Sequence, residues 1–460
     1  MPHLVPFDKY QWPSIYDAPY QHQIETFKFI IKYKRGYILN TMGTGKTLSC
    51  IWAAHFLYIN DYIRKVLIVA PLSILQSVWA DEIFFNIPNM PFVVLHGTKA
   101  KRRELLKTPA LFYIINHDGI KVIEDEIKKA RFDIVYIDEL TAFKNHRAER
   151  TKCMKRICDK AKSVIGLTGS MTANSPLDAF GQVKVVNSKN PHVPTYWTRF
   201  RDLLMTQFDM YTYLPRPGWE KILEPMVQPA IRYKMEDCID IPEIIYHPPR
   251  DVPMGAKQEK LYKEMKKDFL AEYEEGLITA ANAGVKRLKL LQISAGAVLN
   301  DEGNVVYLDN TSKLRELLNI YEQSFTKKLI IFSMFVAPLK QISKYLTKHN
   351  ISNKMIYGDV SSSKRSTYFY EFQNGNLQVL VMQPKVAAHG LNLKVSDTVI
   401  WYTPAPSNDI YQQANHRIRR PGQKNKQNVL KLQSSPLEKK VYEAIDNNED
   451  LNQVFLSMFQ

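Results

Sequence analysis

Glycines after a short apolar run near residue 40 have the spacing of a phosphate-binding loop. Segment 36–47 reads GYILNTMGTGKT, which predicts a strand, a glycine-containing loop and the start of a helix. Gly43 and Gly45 let the backbone curl, so that N–H groups around Thr44 point at an anion bound at the helix N-terminus.

The residues that follow add a cation and a hydroxyl. Lys46 is expected to reach the β- and γ-phosphates of a nucleotide, and the hydroxyl of Thr47 to ligate Mg²⁺. The pattern is incomplete, because Asn40 stands where G-x-x-x-x-G-K-T has its first glycine. ATP and Mg²⁺ are therefore the expected cofactors.

Two acids end a second apolar run, FDIVYIDE, at Asp138 and Glu139. At the end of a strand beside a phosphate loop, an aspartate can hold Mg²⁺ and a neighbouring glutamate can orient or deprotonate the attacking water. We therefore expect Asp138 to be a metal ligand and Glu139 to be catalytic. The alternative is an acidic pair that simply begins a loop.

The elements that would position these residues repeat in two halves. Short β-branched runs alternate with longer helical segments, the pattern of parallel α/β sheets. The expected strands are Gly36–Leu39, Val66–Ala70, Phe112–Ile115, Asp133–Ile137 and Ser163–Leu167, then Leu329–Phe332, Met355–Tyr357, Val379–Met382, Val399–Tyr402 and Val429–Leu432. We predict an α/β fold with two tandem parallel-sheet lobes and helical insertions.

The region between the two halves differs in composition. It is rich in Pro, Tyr and Trp early and becomes helical and charged from Lys257 to Gln292. We expect a first lobe over 1–225 with an insertion after about 177, a linker and helical insertion over 226–310, and a second lobe over 311–460.

The overall charge favours a polyanionic partner. Lys and Arg exceed Asp and Glu by 62 to 46, a net charge of +16. Basic clusters lie at 99–103, 128–131 and 147–162, although each can also be a solvated face.

The compartment follows from what the sequence lacks. The four cysteines form no C-x-x-C pair, the N-terminus does not resemble a signal peptide, and no apolar run is long enough to span a bilayer. We expect no membrane association and a cytoplasmic protein of a bacterial or phage-infected cell, or a nuclear one if the chain is eukaryotic.

Further segments match, in order, the motifs of one family. They are Tyr20–Gln23, Asn40–Thr47, Val69–Ser73 with Trp79, His96-Gly97, Ile114–His117, Asp138–Asn145, Leu167–Ser170 with Asn174, Ser333–Phe335, Tyr357–Ser361 with Arg365, Ala388–Leu393 and Gln413–Gln423. Nearly the whole chain thus resembles the Swi/Snf-related branch of superfamily 2 helicase-like translocases, whose two lobes are RecA-like.

The resemblance implies further roles. Gln23 would contact adenine, and Gln413 would help to bind the nucleotide. Nucleic-acid contacts would come from Pro71, Ser73, His96, Asn116, Lys144, Asn145, Ser333, Gly358, Gly390 and Asn392. These contacts would be mainly to phosphate, so that binding to DNA would not depend on sequence.

The last motif, QANHRIRRPGQ, supplies Arg417 and Arg420. On a continuous helix, Gln413 and these two arginines would share one face. The resemblance implies that both guanidinium groups bind the γ-phosphate of ATP held by Lys46 of the other lobe and stabilise the transition state.

The chain departs from the family at two places. Asn40-Thr41 replaces an acidic pair, and Ser170-Met171 replaces Thr-Pro. We expect the change at Ser170-Met171 to alter how hydrolysis is coupled to DNA binding and to leave catalysis intact.

Two motor hypotheses remain open. The chain is expected to act as a monomer that translocates on duplex DNA and remodels DNA or protein–DNA complexes, or else to separate strands or migrate branches at forks, junctions or R-loops. Tyr, Trp and Arg residues within 185–225 offer a possible wedge. A DNA-binding scaffold with an inactive nucleotide site is the non-enzymatic alternative. Protein partners are possible and unnamed by the sequence.

Overall fold

The computed structural model describes residues 5–13, 18–172, 175–209, 213–238, 242–274, 280–300, 302–387, 393–416, 418, 423 and 425–447. The chain divides into two compact units, Met1–Asp240 and Ile241–Gln460. Each contains a parallel sheet covered by helices, which confirms the predicted α/β fold.

The first unit is organised by a sheet in the order β3-β4-β2-β5-β6-β1-β9, in which every pairing is parallel. Its strands are β1 (Arg35–Ile38), β2 (Val66–Ala70), β3 (Phe92–Val94), β4 (Phe112–Asn116), β5 (Ile134–Asp138), β6 (Ser163–Leu167) and β9 (Ala230–Ile231), and β7 (Met205–Gln207) and β8 (Tyr213–Pro215) form a separate hairpin.

The helices of this unit follow the strands and cover the sheet. They are α1 (Gln21–Lys32), α2 (Lys46–Ile59), α3 (Asp81–Asn86), α4 (Lys99–Lys107), α5 (Glu124–Ala130), α6 (Glu149–Cys158), α7 (Ala179–Val186), α8 (Trp197–Leu204), α9 (Trp219–Leu223) and α10 (Met235–Cys238). A π-helix, Leu75–Ala80, runs directly into α3.

The second unit has a parallel sheet in the order β10-β18-β17-β14-β16-β15, with β11 also paired to β18. Its strands are β10 (Ile244–Tyr246), β11 (Arg250–Asp251), β14 (Leu329–Phe332), β15 (Asn353–Ile356), β16 (Val379–Met382), β17 (Thr398–Trp401) and β18 (Gln427–Gln433), and β12 (Ala297–Leu299) and β13 (Val305–Tyr307) form a hairpin. Its helices are α11 (Ala256–Glu274), α12 (Ala280–Ser294), α13 (Thr311–Gln323), α14 (Val336–Lys348), α15 (Ser362–Asn374), α16 (Pro384–Ala387), α17 (Asn408–Asn415) and α18 (Pro436–Asp446).

The expected strands all occur, and β2, β6, β14 and β16 have the predicted bounds. Segment 226–310 is shared between the units, since β9 extends the first sheet whereas β10 and β11 join the second. The boundaries at 225 and 310 remain a prediction; the observed division falls between 240 and 241.

A buried ion pair fastens two helices of the second unit. The ammonium of Lys313 on α13 lies 2.9 and 3.1 Å from the carboxylate oxygens of Glu438 on α18, and both side chains are almost fully buried. Burial lowers the pKa of Lys313 and raises that of Glu438, because each charge loses its hydration. Within the described ranges, no helix is both long and apolar enough to cross a bilayer.

Candidate functional site

The loop after β1 has the curled backbone that phosphate binding requires. Gly43 and Gly45 adopt left-handed φ angles of 86° and 74°, and α2 begins at the next residue, Lys46. A Cβ atom on Gly45 would overlap the carboxamide of Gln23. Glycine is therefore required at this position both by conformation and by space.

Lys46 and Thr47 open α2. The ammonium of Lys46 donates hydrogen bonds to the backbone carbonyls of Asn40 and Thr41, at 2.7 and 3.1 Å. These contacts hold the cation over the loop, where a phosphate would lie. Thr47, in the second position of the helix, is half-buried.

Helix α1 supports the loop from one side. The Nε2–H group of His22 donates to the carbonyl of Thr44 at 2.9 Å. The carboxamide oxygen of Gln23 accepts the N–H of Tyr20 at 3.0 Å, while its nitrogen lies beside Gly45. Gln23 thus lies against the phosphate loop, and its role as the adenine contact stays a prediction.

Asp138 ends β5, which is separated from β1 by β6 alone. Its carboxylate accepts the indole N–H of Trp79 at 2.9 Å and the backbone N–H of Glu139 at 3.0 Å. Burial, followed by the charge of Glu139, raises the pKa of Asp138 to about 6, while Trp79 and the charge of Lys46 oppose the shift. The phosphate loop and Asp138 therefore both lie at the carboxyl ends of strands of the same sheet.

Glu139 has a strained backbone. Its φ of 51° and ψ of 60° lie in the left-handed region, which an L-residue with a Cβ adopts at a cost of about 1–2 kcal/mol. A 3₁₀-helix, Leu140–Phe143, follows immediately. Strain of this kind is concentrated at functional sites.

These groups fit a nucleotide and its metal ion. A curled loop at a helix N-terminus with a lysine suits a polyphosphate, and a hydroxyl with a carboxylate are the hard oxygen ligands that Mg²⁺ prefers. In the part of the chain that the structure describes, no cluster of three or more His, Cys, Asp or Glu side chains is arranged to hold a metal by itself. Thr47 and Asp138 would therefore share the ion with the phosphates.

The segment after β2 contains the expected contacts Pro71 and Ser73. Ser73 is exposed in a short 3₁₀-helix, Leu72–Ile74, whereas Pro71 is buried and its carbonyl accepts the N–H of Ile74 at 3.1 Å. The π-helix that follows turns Trp79 inward to Asp138. π-Helical turns often occur at functional sites.

A buried arginine organises the next two expected contacts. Arg102 donates to the carbonyls of Leu95 and Gly97, at 2.6 and 2.9 Å, and to the side-chain oxygen of Asn116 at 3.2 Å. It therefore ties the end of β3 to the end of β4 and leaves His96 exposed between them. Interpreting Arg102 as part of a basic surface was wrong, because its guanidinium is buried.

Other members of the basic clusters are paired with acids. Arg103 pairs with Glu126, Lys128 with Glu124 and Asp125, Lys155 with Asp159, and Arg156 with Glu124 and Glu149. Acidic residues within and between the clusters thus neutralise part of the local positive charge of each cluster.

Lys144 and Asn145 follow the 3₁₀-helix that comes after Asp138 and Glu139. Lys144 is 3.4 Å from Asp178, and the side chain of Asn145 is exposed. Helix α7 approaches this segment so closely that a Cβ on Gly181 would overlap the carbonyl oxygens of Phe143 and Lys144. This segment is therefore packed closely against α7.

In the second unit the expected contacts differ in exposure. Ser333 is completely buried, and its hydroxyl donates to the carbonyl of Phe335 at 3.3 Å, so its side chain is occupied within the fold and its contact with DNA stays a prediction. Gly358 is exposed after β15, and its carbonyl accepts a guanidinium N–H of Arg365 at 2.8 Å. Gly390 and Asn392 lie outside the described residues.

Helix α17 contains Gln413, which is half-buried, and ends at Asn415. The helical face expected from 413 to 420 would extend past this end, and it remains a prediction. Past the helix end, the carbonyl of Ile418 accepts the side chain of Gln427 at 3.1 Å. Arg417 and Arg420, like Asn174 of the earlier motif, lie outside the described residues, and the arginine roles remain predictions.

Two protein-family models match the chain. The SNF2-related domain matches residues 22–303, more than half of the chain, and the helicase conserved C-terminal domain matches residues 310–422.

Individual proteins are similar over most of the chain. Putative protein p41 of Acyrthosiphon pisum secondary endosymbiont phage 1 is 26% identical over 421 residues, which cover 87% of this chain and 88% of that protein. SWI/SNF-related matrix-associated actin-dependent regulator of chromatin subfamily A-like protein 1 of Xenopus laevis is 25% identical over 89% of this chain. DNA annealing helicase and endonuclease ZRANB3 of Homo sapiens is 23% identical over 86% of it.

The chain spans 41% and 36% of the lengths of these two animal proteins. Among solved structures, the Sulfolobus solfataricus SWI2/SNF2 ATPase core in complex with dsDNA is 22% identical, with 95% of this chain and 93% of that one covered and a TM-score of 0.46.

Proposed function

This chain belongs to the SNF2-related family of helicase-like, nucleic-acid-dependent ATPases, and from that premise we propose that it hydrolyses ATP to translocate on duplex DNA. The motion would remodel branched DNA or displace bound proteins. The supporting observation is that Lys46 and Asp138 both lie at the carboxyl ends of the strands of one sheet, with Glu139 next to the proposed metal ligand.

In the proposed reaction, Lys46 would bind the terminal phosphates, and Thr47 and Asp138 would hold Mg²⁺, which would supply neutralisation of phosphate charge. Glu139 would accept a proton from, or orient, the water that attacks the γ-phosphorus, while the bond from this phosphorus to the β-phosphate oxygen breaks and ADP leaves. Glu139 directly follows Asp138 and has a left-handed backbone. Arg417 and Arg420 remain the proposed ligands of the γ-phosphate.

We propose that each unit binds DNA through loops that follow the strands of its own sheet. Ser73, His96 and Asn145 are exposed in such loops, and Gly358 is exposed after β15. Contacts at these positions would be mainly to phosphate, so that binding would be independent of sequence and would weaken steeply with added salt.

The first experiment measures ATPase rates without nucleic acid and with duplex, forked and single-stranded DNA and RNA, at matched low salt. We expect the strongest stimulation by duplex DNA. Lys46→Ala should abolish hydrolysis yet retain DNA binding, whereas the exposed Lys107→Ala serves as the matched control. Equal rates with every nucleic acid would contradict the motor proposal.

Strand separation is the second candidate, and one observation favours it. Tyr196 and Phe208 are 72% and 74% exposed at either end of α8 and β7, a high exposure for aromatic rings. Between them, Arg201 stacks over the rings of Trp197 and Tyr213, with its guanidinium carbon 5.5 and 4.3 Å from the ring centres. Exposed aromatic rings can stack on unpaired bases.

A fork-unwinding assay separates the two candidates. If the enzyme opens forks, Tyr196→Ala combined with Phe208→Ala should lower unwinding several-fold and leave duplex-stimulated ATPase intact. If the wild type moves along duplex without opening forks, the translocase proposal stands alone.

A further inference from the structure

The segment that follows the insertion of the first unit runs beside β1 and the phosphate loop. Strand β9 pairs with β1, and backbone hydrogen bonds continue beyond both strands. The N–H groups of Tyr37, Leu39 and Thr41 donate to the carbonyls of Pro229, Ile231 and Tyr233, at 3.0, 2.8 and 2.9 Å. We call residues 229–235 the strap.

Two side chains of the loop extend this connection. The carboxamide oxygen of Asn40 accepts the N–H of Tyr233 at 3.0 Å, and the hydroxyl of Thr41 accepts the N–H of Met235 at 2.8 Å. Asn40 is almost completely buried, and its amide nitrogen also donates to the hydroxyl of Thr26 on α1 at 3.0 Å. Asn40 therefore joins α1, the loop and the strap.

The same two residues hold the lysine of the nucleotide site. The ammonium of Lys46 is bound by the carbonyls of Asn40 and Thr41, while their side chains hold the strap. A phosphate that draws the ammonium of Lys46 away from these carbonyls changes the hydrogen bonding of both residues at once. A second route joins the loop to the strap, since His22 binds the carbonyl of Thr44 and its ring centre lies 5.9 Å from that of Tyr233.

We propose that Asn40 and Thr41 are positioning residues that transmit nucleotide binding at Lys46 to the strap. The inference rests on the proposed ATPase function and adds a regulatory path to it. The strap leads directly into α10, after which the chain enters the second unit. The strap is therefore hydrogen-bonded to the phosphate loop and precedes the second unit in sequence.

The chemistry of Asn40 explains why an amide stands where the family resemblance has an acid. An amide accepts a hydrogen bond and donates another, whereas a carboxylate only accepts. Asn40→Asp therefore keeps the acceptor for Tyr233 but loses the donor to Thr26. Thr41→Val keeps the shape of the side chain and removes the acceptor for Met235, and Thr41→Ser restores a hydroxyl.

Amide hydrogen exchange of the full-length protein tests the proposal directly. Exchange in residues 229–238 is measured with and without a non-hydrolysable ATP analogue and Mg²⁺, and we expect it to change several-fold on binding. Thr41→Val should speed exchange at Met235 by roughly two- to tenfold, the range expected for one lost hydrogen bond, and remove the nucleotide response. Thr41→Ser should behave as the wild type.

Asn40→Ala should likewise expose the amide of Tyr233, whereas Asn40→Asp should protect it. Unchanged exchange in β6 would show that each variant is folded. In steady-state kinetics, Thr41→Val should lower kcat with duplex DNA several-fold, with the KM for ATP unchanged within about twofold, because the nucleotide contacts themselves remain.

The outcomes separate this inference from the function on which it rests. If a fluorescent ATP analogue binds and DNA stimulates hydrolysis, but exchange in the strap is the same with and without nucleotide, the inference is overturned and the function stands. A nucleotide response that survives in Thr41→Val also overturns it. Absence of any nucleotide binding overturns both.

Discussion

The indole N–H of Trp79 donates a 2.9 Å hydrogen bond to Oδ2 of Asp138, across 59 residues of sequence. Trp79 lies in the π-helix that follows Ser73, an exposed residue expected to contact DNA. The pair therefore links a segment expected to bind DNA to the carboxylate expected to bind the metal ion. A displacement of the π-helix would therefore change the position or hydrogen bonding of the Asp138 carboxylate.

The pH dependence of the reaction should reveal Asp138. Metal binding needs the carboxylate, and burial, followed by the charge of Glu139, raises the pKa of Asp138 from 3.8 to about 6. We expect kcat/KM for ATP, which reports the free enzyme, to fall with decreasing pH below about 6. A rate constant that stays level down to pH 5 would contradict this assignment.

The same pKa has a consequence for stability. Because the folded protein holds the proton of Asp138 more tightly than the unfolded chain, this group stabilises the fold below pH 4, and its contribution is lost as the pH rises to about 6. Thermal melts at several pH values should show a larger loss in the wild type than in Asp138→Asn, because other carboxyl groups with a raised pKa, such as Glu438, are present in both.

Replacing Trp79 should move the pH profile. The hydrogen bond from Trp79 lowers the pKa of Asp138, so Trp79→Phe should raise it and shift the acidic limb of kcat/KM to higher pH. Trp52→Phe is the control, since Trp52 is equally buried and donates to a backbone carbonyl, that of Pro13, at 2.7 Å. A shift of the same size in both variants would argue against a specific role for Trp79.

The strained backbone of Glu139 should lower the stability of the fold, while its carboxylate is needed for hydrolysis. Glycine tolerates the left-handed backbone, so Glu139→Gly should stabilise the fold by up to about 1 kcal/mol and abolish hydrolysis. Glu139→Gln should also lose hydrolysis, and since it removes the same charge but keeps the Cβ, it should be less stable than the glycine variant. Urea unfolding of the two variants checks this, and a less stable glycine variant would refute the strain argument.

Gly181 should be intolerant of any side chain. An alanine there would press its Cβ into the backbone of Phe143 and Lys144, and we expect a loss of about 1–3 kcal/mol despite alanine's better helix propensity. At Gly358 a Cβ would meet nothing within 4 Å, so Gly358→Ala should change stability by less than about 0.5 kcal/mol. Urea unfolding of both variants tests the comparison.

The sequence predicts the central strands well because their signal is local. Val66–Ala70 is a continuous apolar run that becomes buried on both faces of the sheet. The sequence does not predict strands β3 and β9. They have three and two residues at the edges of the sheet, too few to show a periodic apolar pattern, and each forms by pairing with the adjacent strand.

The candidate site was predictable where function depends on adjacent residues, as in the phosphate loop and at Asp138. It was not predictable where distant side chains meet. Trp79 was noted only as part of a motif, and its contact with Asp138 depends on strand order. Arg102 is indistinguishable in sequence from its solvated neighbours, and only its burial reveals that it organises two strand ends.

Strand β9 also determines where the first unit can be cut. A fragment ending at residue 225, as composition suggests, would lack β9 and leave the N–H groups of Tyr37 and Leu39 unpaired along an open sheet edge. Open edges of apolar strands invite pairing with other chains. Such a fragment should aggregate on expression, whereas one that extends to residue 238 keeps the edge covered.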